Sequence, residues 1–133
     1  MKNDGLVDNI CHAKLVDMAG VYQTLAGNFA ELGLVNNASA INQESIEIYK
    51  ALNDQINIAE NFFELGLIHV QKGNTTEALK YYYSAYRLAE RAQFTFEKQT
   101  RYLSAIVRVY REKGQVKLAE SLHRYILQMK SPN

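Results

Sequence analysis

A short pattern occurs three times in the sequence at an almost constant spacing. In each copy a glycine is followed five residues later by an alanine, at Gly33 and Ala38, Gly73 and Ala78, and Gly114 and Ala119. The glycines are 40 and 41 residues apart. Apolar residues with a helical period precede each glycine, and a second such segment begins near each alanine. Periods of this length are typical of proteins that stack copies of one unit, so we expect three helix-turn-helix units.

Composition agrees with a helical chain that has a core. The 133 residues are 47% hydrophobic and include a single Pro and no Trp, which suits long helices better than turn-rich β structure. First helices are expected near residues 12–32, 55–72 and 96–113, and second helices near residues 36–51, 75–91 and 116–130. Asp54, Asn74 and Thr95 stand where N-caps are expected. Residues 1–11 form either a short helical cap or a frayed arm of one all-α domain, residues 1–133.

The middle unit carries the most specific motif. Its residues are Phe62, Leu65, Gly66 and His69, followed by Gly73, Ala78, Tyr82 and Ala85. This arrangement resembles the tetratricopeptide repeat, in a variant with repeats of about 40 residues rather than the usual length of roughly 34. The resemblance covers repeats at about residues 19–52, 59–92 and 100–130. It implies a right-handed superhelical stack of three antiparallel helix pairs, an α-solenoid, that acts as a protein- or peptide-binding adaptor or regulatory module and not as an enzyme.

The resemblance also implies where a ligand binds, since the first helices of such stacks line the concave face. The candidate lining consists of side chains off the packing stripe of these helices: Gln23, Gly27, Glu60, Phe63, Glu64, Leu67, Arg101, Ser104 and Arg108. We expect a ligand with an acidic group that binds Arg101 and Arg108. Its apolar contacts would be Phe63 and Leu67. Alternatively, Glu60 and Glu64 pair with the two arginines, and the groove binds nothing.

Charge is unevenly distributed along the chain, although the net charge is only +1. Residues 98–130 contain eight Lys or Arg and two acidic residues, whereas residues 1–97 are net acidic. The basic segment offers Tyr102 and Tyr110 as its stacking aromatics, so nucleic-acid binding is the least favoured function. No apolar run is long enough for a membrane span. Asp4 and Asp8 stand where a secretory signal has an apolar core, so we expect a cytoplasmic protein that does not bind a membrane.

The motifs of known catalytic sites are missing from the sequence. It contains no phosphate-binding glycine loop, zinc-binding histidine pair or nucleophile elbow. We therefore expect no catalysis, no cofactor and no metal ion. Cys11 and His12 are adjacent, and adjacent helical positions point about 100° apart. Cys11 is therefore interpreted as a buried or half-buried structural thiol.

Several ring side chains occupy positions that suit packing. His69 and His123 stand where the repeat places an aromatic residue, so both are interpreted as structural. In the tyrosine-rich segment of the second unit, Tyr82 and Tyr86 are expected in the core. The candidates for contact with a partner are Tyr81 and Tyr83.

The last helix is expected to mediate self-association. Its apolar sector is wider than one face, and the sequence stops at KSPN without residues for a polar capping helix. The candidate surface consists of Leu122, Tyr125, Ile126, Leu127 and Met129. A twofold homodimer is the simplest closed arrangement. A structural, self-associating protein without a peptide ligand is thus the alternative to a peptide-binding adaptor.

Overall fold

The computed structural model describes the backbone of residues 4–129 and the side chains of residues 8–129. This part of the chain is α-helical between its turns. The six helices are α1 (Asp4–Glu31), α2 (Val35–Ala51), α3 (Gln55–Lys72), α4 (Thr75–Arg91), α5 (Phe96–Glu112) and α6 (Val116–Gln128). The chain divides into two compact units, Met1–Asn61 and Phe62–Asn133, and the boundary falls within α3. In the first unit α1 packs against α2, and in the second unit α5 packs against α4 and α6.

The predicted all-α fold is confirmed, and five of the six helices begin within one residue of their predicted positions. The exception is α1, which begins at Asp4. Residues 4–11, predicted as an arm or a cap, are the first turns of this helix, and residues 1–3 lie outside the described residues. The single domain over residues 1–133 stays a prediction.

Two of the three predicted N-caps form hydrogen bonds of the expected kind. The Asp54 carboxylate accepts from the backbone N–H of Asn57 at 3.2 Å, and the Thr95 hydroxyl accepts from the backbone N–H of Lys98 at 3.3 Å. Asn74 is the residue before α4, but its side chain makes no capping hydrogen bond. Its backbone N–H donates to the carbonyl of His69 in the preceding turn.

One turn geometry recurs at all five connections between the described helices. Gly73 has φ of +82°, its N–H donates to the carbonyl of Val70 at 3.0 Å, and the N–H of Asn74 donates to the carbonyl of His69 at 2.8 Å. This is the Schellman arrangement, in which a left-handed residue ends the helix. The same two hydrogen bonds close the turns at Gly33, Asn53, Gln93 and Gly114. The glycines of the sequence pattern therefore mark the turns within the helix pairs.

The core of the first unit contains small and polar side chains beside the apolar Ile46, Tyr49 and Ile58. Ala19 and Ala26 of α1 are fully buried against α2, and small residues at such a crossing allow the helices to approach closely. The hydroxyl of Ser45 donates to the carbonyl of Ala19 at 3.0 Å and accepts from the side-chain amide of Asn61 at 2.8 Å. Through these two hydrogen bonds Ser45 links α1, α2 and the start of α3. It occupies the repeat position of Ala85 in α4.

The second unit has an aromatic core. The ring of Phe63 lies between those of Tyr82 and Tyr102, with 5.2 Å between ring centroids on each side. All three side chains are buried. Ala78 and Ala85 of α4 are also fully buried, which brings α4 close to its neighbours. This packing fixes the relative positions of α3, α4 and α5, which form the groove described next.

Candidate functional site

A groove of about 260 Å³ lies between the second half of α3 and α5 in the second unit. We call it the α3–α5 groove. It is lined by Phe63, Leu67, Val70, Tyr82, Arg101, Ser104, Ala105, Arg108, Val109 and Glu112. The residues on α3 are apolar, whereas α5 supplies two arginines, a serine and a glutamate. A ligand in this groove would meet an apolar wall on one side and charged groups on the other.

Arg101 is the most clearly positioned charged group of the groove. Its guanidinium carbon lies 4.5 Å from the ring centroid of Phe63, a cation–π arrangement. The ring itself is held between Tyr82 and Tyr102. Arg101 as a whole is an exposed residue. The packed aromatic core therefore supports a cation that faces the groove.

The electrostatic environment of Tyr82 shows that Arg108 and Glu112 act on the same region. The pKa of Tyr82 is raised to about 12, chiefly because burial disfavours the phenolate. Arg108 opposes this rise in pKa, whereas Glu112 adds to it. The lining of the groove thus contains both signs of charge, from Arg101, Arg108 and Glu112.

Five of the nine predicted groove residues line this cavity together, and the other four lie elsewhere. The five are Phe63, Leu67, Arg101, Ser104 and Arg108. In the first unit, Gln23 accepts a hydrogen bond from the Tyr49 hydroxyl at 3.3 Å. Gly27 is exposed, and Glu60 is half-buried. Glu64 is half-buried in the second unit and is not among the residues that line the cavity.

A second cleft, of about 250 Å³, lies between α5 and α6. We call it the α5–α6 cleft. Its lining consists of Ser104, Val107, Arg108, Arg111 and His123. Sequence reasoning missed it, although aligning the glycines at 73 and 114 would have shown that Arg108, Arg111 and His123 replace Leu67, Val70 and Tyr82 of the preceding pair.

The predicted self-association surface on α6 is divided between two sides of the helix. Tyr125 and Leu127 are 48% and 70% exposed, but residues two apart on an α-helix point about 200° apart. Leu122, Ile126 and Met129 are half-buried. The Tyr125 side chain is also hydrogen-bonded to Tyr86. A homodimer through α6 stays a prediction.

Two interpretations from the sequence are wrong. Cys11 is exposed rather than buried, because α2 has 17 residues against the 28 of α1 and does not reach back to the first turns. His123 is exposed as well. The equivalent residue of α4 is Tyr82, which is covered because α5 follows α4. His123 lies on α6, the last described helix.

The tyrosines of α4 make contacts within the second unit. Tyr82 is buried, as predicted, whereas Tyr86 is only half-buried. The ring of Tyr81 stacks on His69, with centroids 5.5 Å apart and planes 10° apart. The hydroxyl of Tyr83 is hydrogen-bonded to that of Tyr110 at 2.9 Å. Both predicted contact tyrosines are therefore already packed against neighbours.

Neither a metal-ligand cluster nor a membrane span is found among the described residues. Within residues 8–129, no three His, Cys, Asp or Glu side chains converge as metal ligands would. None of the helices in residues 4–129 combines the length and the apolar character that a membrane span requires.

The repeated turn, the small residues at the helix crossings and the helix pairs agree with the comparison of the chain with protein families. A family model described as tetratricopeptide repeat (TPR) matches residues 17–91, more than half of the chain. The chain belongs to this family. TPR domains generally bind proteins or peptides and are generally not catalytic.

Solved structures share the fold at low sequence identity. The crystal structure of the TPR domain of Arabidopsis FLU has a TM-score of 0.73 and 16% identity, and the match covers 85% of this chain and 94% of that domain. The crystal structure of BtubC (BKLC) from P. vanneervenii has a TM-score of 0.71 and 19% identity, with 82% of this chain and 44% of that protein covered. No curated protein matches the sequence. The two structures therefore support the TPR solenoid fold alone.

Proposed function

We propose that this TPR domain is a non-catalytic binding module whose α3–α5 groove takes an acidic peptide segment with a neighbouring apolar side chain. The observation that carries the proposal is the position of Arg101, which is held on the ring of Phe63 beside an apolar wall. Ordering an arginine side chain normally costs up to about 2 kcal/mol of conformational entropy. A stacked guanidinium has lost part of that freedom before a ligand arrives, so it binds at a lower cost.

The apolar wall supports a ligand that also contributes an apolar side chain. Leu67 is 46% exposed in the structure, and Val70 lines the same cavity. Covering such groups is favourable by about 25 cal/mol per Å² of apolar surface. Arginine, in turn, recognises a carboxylate through two parallel hydrogen bonds. The two kinds of group therefore favour an acidic residue adjacent to an aliphatic or aromatic one.

Nucleic-acid binding receives less support from the same side chains. Of the three tyrosines in the basic segment, Tyr102 is fully buried in the core, and Tyr125 is hydrogen-bonded to Tyr86. Tyr110 is half-buried, and its hydroxyl is hydrogen-bonded to that of Tyr83. Base stacking requires an open aromatic face. Protein or peptide binding is therefore the function that we propose.

Selection from a random twelve-residue peptide library tests the proposal without assuming any particular ligand sequence. Peptides that bind the parent protein should be enriched in Asp or Glu beside Leu, Ile or Phe. Fluorescence anisotropy then gives their affinities. Replacing both groove arginines, Arg101→Ala with Arg108→Ala, should weaken binding by about 10-fold or more, because each charged hydrogen bond contributes about 1.5–3 kcal/mol. Salt should weaken binding to the parent as well.

A matched control removes two arginines from a helix face outside the groove. Arg87 and Arg91 are exposed on α4, and Arg87→Ala with Arg91→Ala should leave the affinity within about twofold, since rim charges contribute little. Selected peptides without acidic residues, or equal losses in both double variants, would contradict the proposal. Unchanged affinity in the Arg101 and Arg108 variant would place the binding site elsewhere on the domain.

A further inference from the structure

Helix α1 exposes an unusual amount of apolar surface. The exposed apolar side chains described within the helix are Ile10, Val16, Met18, Val21 and Leu25. Leu32, just beyond its end, is exposed as well. Val16, Val21 and Leu25 line a shallow depression of the first unit together with Asp17, Gly20, Thr24 and Asn28. We call this set of seven the outer face of α1, because the buried residues Ala19 and Ala26 lie on the opposite side. A helix that is apolar on both sides is usually covered on both sides.

The same repeat positions are buried in the other two first helices. Aligning the turn glycines at 33, 73 and 114 places Val21 with Asn61 of α3 and Tyr102 of α5. It places Leu25 with Leu65 and Ile106. The four equivalents are fully buried, whereas Val21 and Leu25 are 63% and 37% exposed.

The equivalent residues also show what normally covers these positions. Asn61 donates to Ser45 on the preceding helix α2, and the ring of Tyr102 lies against Phe63 of the preceding pair. The residue equivalent to Val21 therefore contacts the preceding helix pair in both later copies of the repeat. Within the described residues, the outer face of α1 is therefore exposed at positions that are covered in α3 and α5.

The charge pattern of α1 separates this face from an ordinary solvated one. Residues 18–30 contain no Asp, Glu, Lys or Arg. The nearest charged residues are Asp17 and Lys14 on one side of this segment and Glu31 on the other. An exposed helical face of that length normally carries charges of both signs. A partner would therefore meet an uncharged centre, with Lys14 and Asp17 at one end and Glu31 at the other.

We propose that the outer face of α1 binds the same face of a second copy in an antiparallel, twofold dimer. When the twofold axis of the dimer passes between residues 22 and 23 of each α1, Val21 faces Thr24 of the partner subunit. One turn further out, Asp17 faces the partner's Asn28, whose amide can donate to the carboxylate. At the ends, Lys14 faces the partner's Glu31. With 100° per residue, these positions are distributed symmetrically about the centre of the outer face.

The α5–α6 cleft of a second copy is a poorer partner for the outer face of α1. The α5–α6 cleft has Ser104, Arg108, Arg111 and His123 at the positions where the preceding pair has apolar groups. Placing the uncharged centre of α1 there would remove arginine side chains from water without opposite charges. A second copy of α1 instead presents an amide donor to each Asp17 and an opposite charge to each Lys14.

Light scattering coupled to size exclusion, with sedimentation equilibrium, tests the dimer on the full chain. The parent should have about twice its monomer mass of 15.2 kDa at tens of micromolar. Val21→Glu should raise the dissociation constant at least 100-fold, while circular dichroism shows an unchanged helix content because this side chain is exposed. Leu127→Glu, an equally exposed apolar residue on α6, is the matched control and should leave the dimer intact.

A charge exchange tests the antiparallel register. Lys14→Glu and Glu31→Lys should each weaken the dimer about three- to tenfold, since each puts two like-charged pairs at the interface. The double variant, Lys14→Glu with Glu31→Lys, should restore the parent affinity. A parent that stays monomeric at 100 µM would overturn the proposal. So would a dimer that Leu127→Glu dissociates and Val21→Glu does not, or a double variant as weak as the single ones.

Discussion

The ring of Tyr82 lies against the backbone of Gly66. A Cβ atom placed on Gly66 would be 3.1 Å from Cγ of Tyr82 and would overlap the Cδ1 and Cε1 atoms of the ring. Gly66 is in the middle of α3, where glycine is a poor helix former. Its presence there is explained by the ring, which fills the space that a side chain would need and also contacts Phe63.

Adding a methyl group at this position should destabilise the protein. We expect Gly66→Ala to lower the free energy of unfolding by about 1–3 kcal/mol, the usual cost of overpacking, although alanine is favoured over glycine in a helix by about 1 kcal/mol. Gly27→Ala is the control, since its Cβ would have no neighbour within 4 Å. It should raise the free energy of unfolding by about 0.5–1 kcal/mol. Urea denaturation measures both, and a stabilised Gly66→Ala would mean that Tyr82 can move away at little cost.

The buried hydrogen bonds of Ser45 predict a non-additive pair of substitutions. Ser45→Ala leaves the buried side-chain amide of Asn61 without the acceptor that the Ser45 hydroxyl provides, which should cost about 1–3 kcal/mol. Adding Asn61→Leu removes the amide that has lost its acceptor. The double variant should therefore lose less free energy of unfolding than the two single variants together. Ser84→Ala, which removes a comparable hydrogen bond at an exposed site, should change stability by less than about 0.5 kcal/mol. Additive losses in denaturation would show that Ser45 and Asn61 act independently.

Two turns between helix pairs hold residues other than glycine in the left-handed conformation. Gln93 has φ of 56° and Asn53 has φ of 57°. Glutamine is strained there, whereas asparagine tolerates this region. Gln93→Gly should therefore raise the melting temperature, with a gain of up to about 1 kcal/mol, and Asn53→Gly should gain less. Thermal melts compare the two variants, and a larger gain at Asn53 would contradict this account.

The stability of the second unit should depend on pH through His69. Burial lowers the pKa of His69 below its ordinary value of 6.5; Lys72 and Lys80 act in the same direction, and Glu77 opposes them. As pH falls below 6.5, the His69 imidazole is protonated more readily in the unfolded chain than in the folded one. The free energy of unfolding therefore decreases between pH 6.5 and the lower pKa of the folded protein. An NMR titration should give a midpoint for His69 below 6.5. Acidification from pH 7.5 to 5.5 should destabilise the parent more than His69→Gln, and equal losses would refute the role of His69.

Much of the fold could be predicted from the sequence because its signals are local. A left-handed glycine ends a helix when its N–H donates to the carbonyl three residues earlier and the next N–H donates to the carbonyl five residues before it. Gly33, Gly73 and Gly114 therefore mark the turns locally. The apolar period places the helices between these turns. For the same reason Ala78 and Ala85 could be assigned to a close crossing, where both are fully buried.

The rest depends on what covers each helix, which the local pattern does not encode. Phe63 lies off the packing stripe by spacing alone, yet it is buried between two tyrosines from other helices. Gln23 turns toward Tyr49 rather than staying available in a groove. Cys11 is exposed because α2 is shorter than α1, and only the paired lengths of the two helices reveal this. The charge on Arg101 could be read from the sequence, but its support by Phe63 could not.

The recurrent turn also has a kinetic consequence. Each of the five connections is closed by hydrogen bonds that span three or five residues, so a turn forms without bringing distant parts of the chain together and loses little loop entropy. Chains dominated by such local contacts fold on the microsecond to millisecond timescale. Each helical hairpin can also open while its neighbours keep their own turns. We expect the slowest hydrogen exchange in the helices that hold the buried rings of Phe63, Tyr82 and Tyr102.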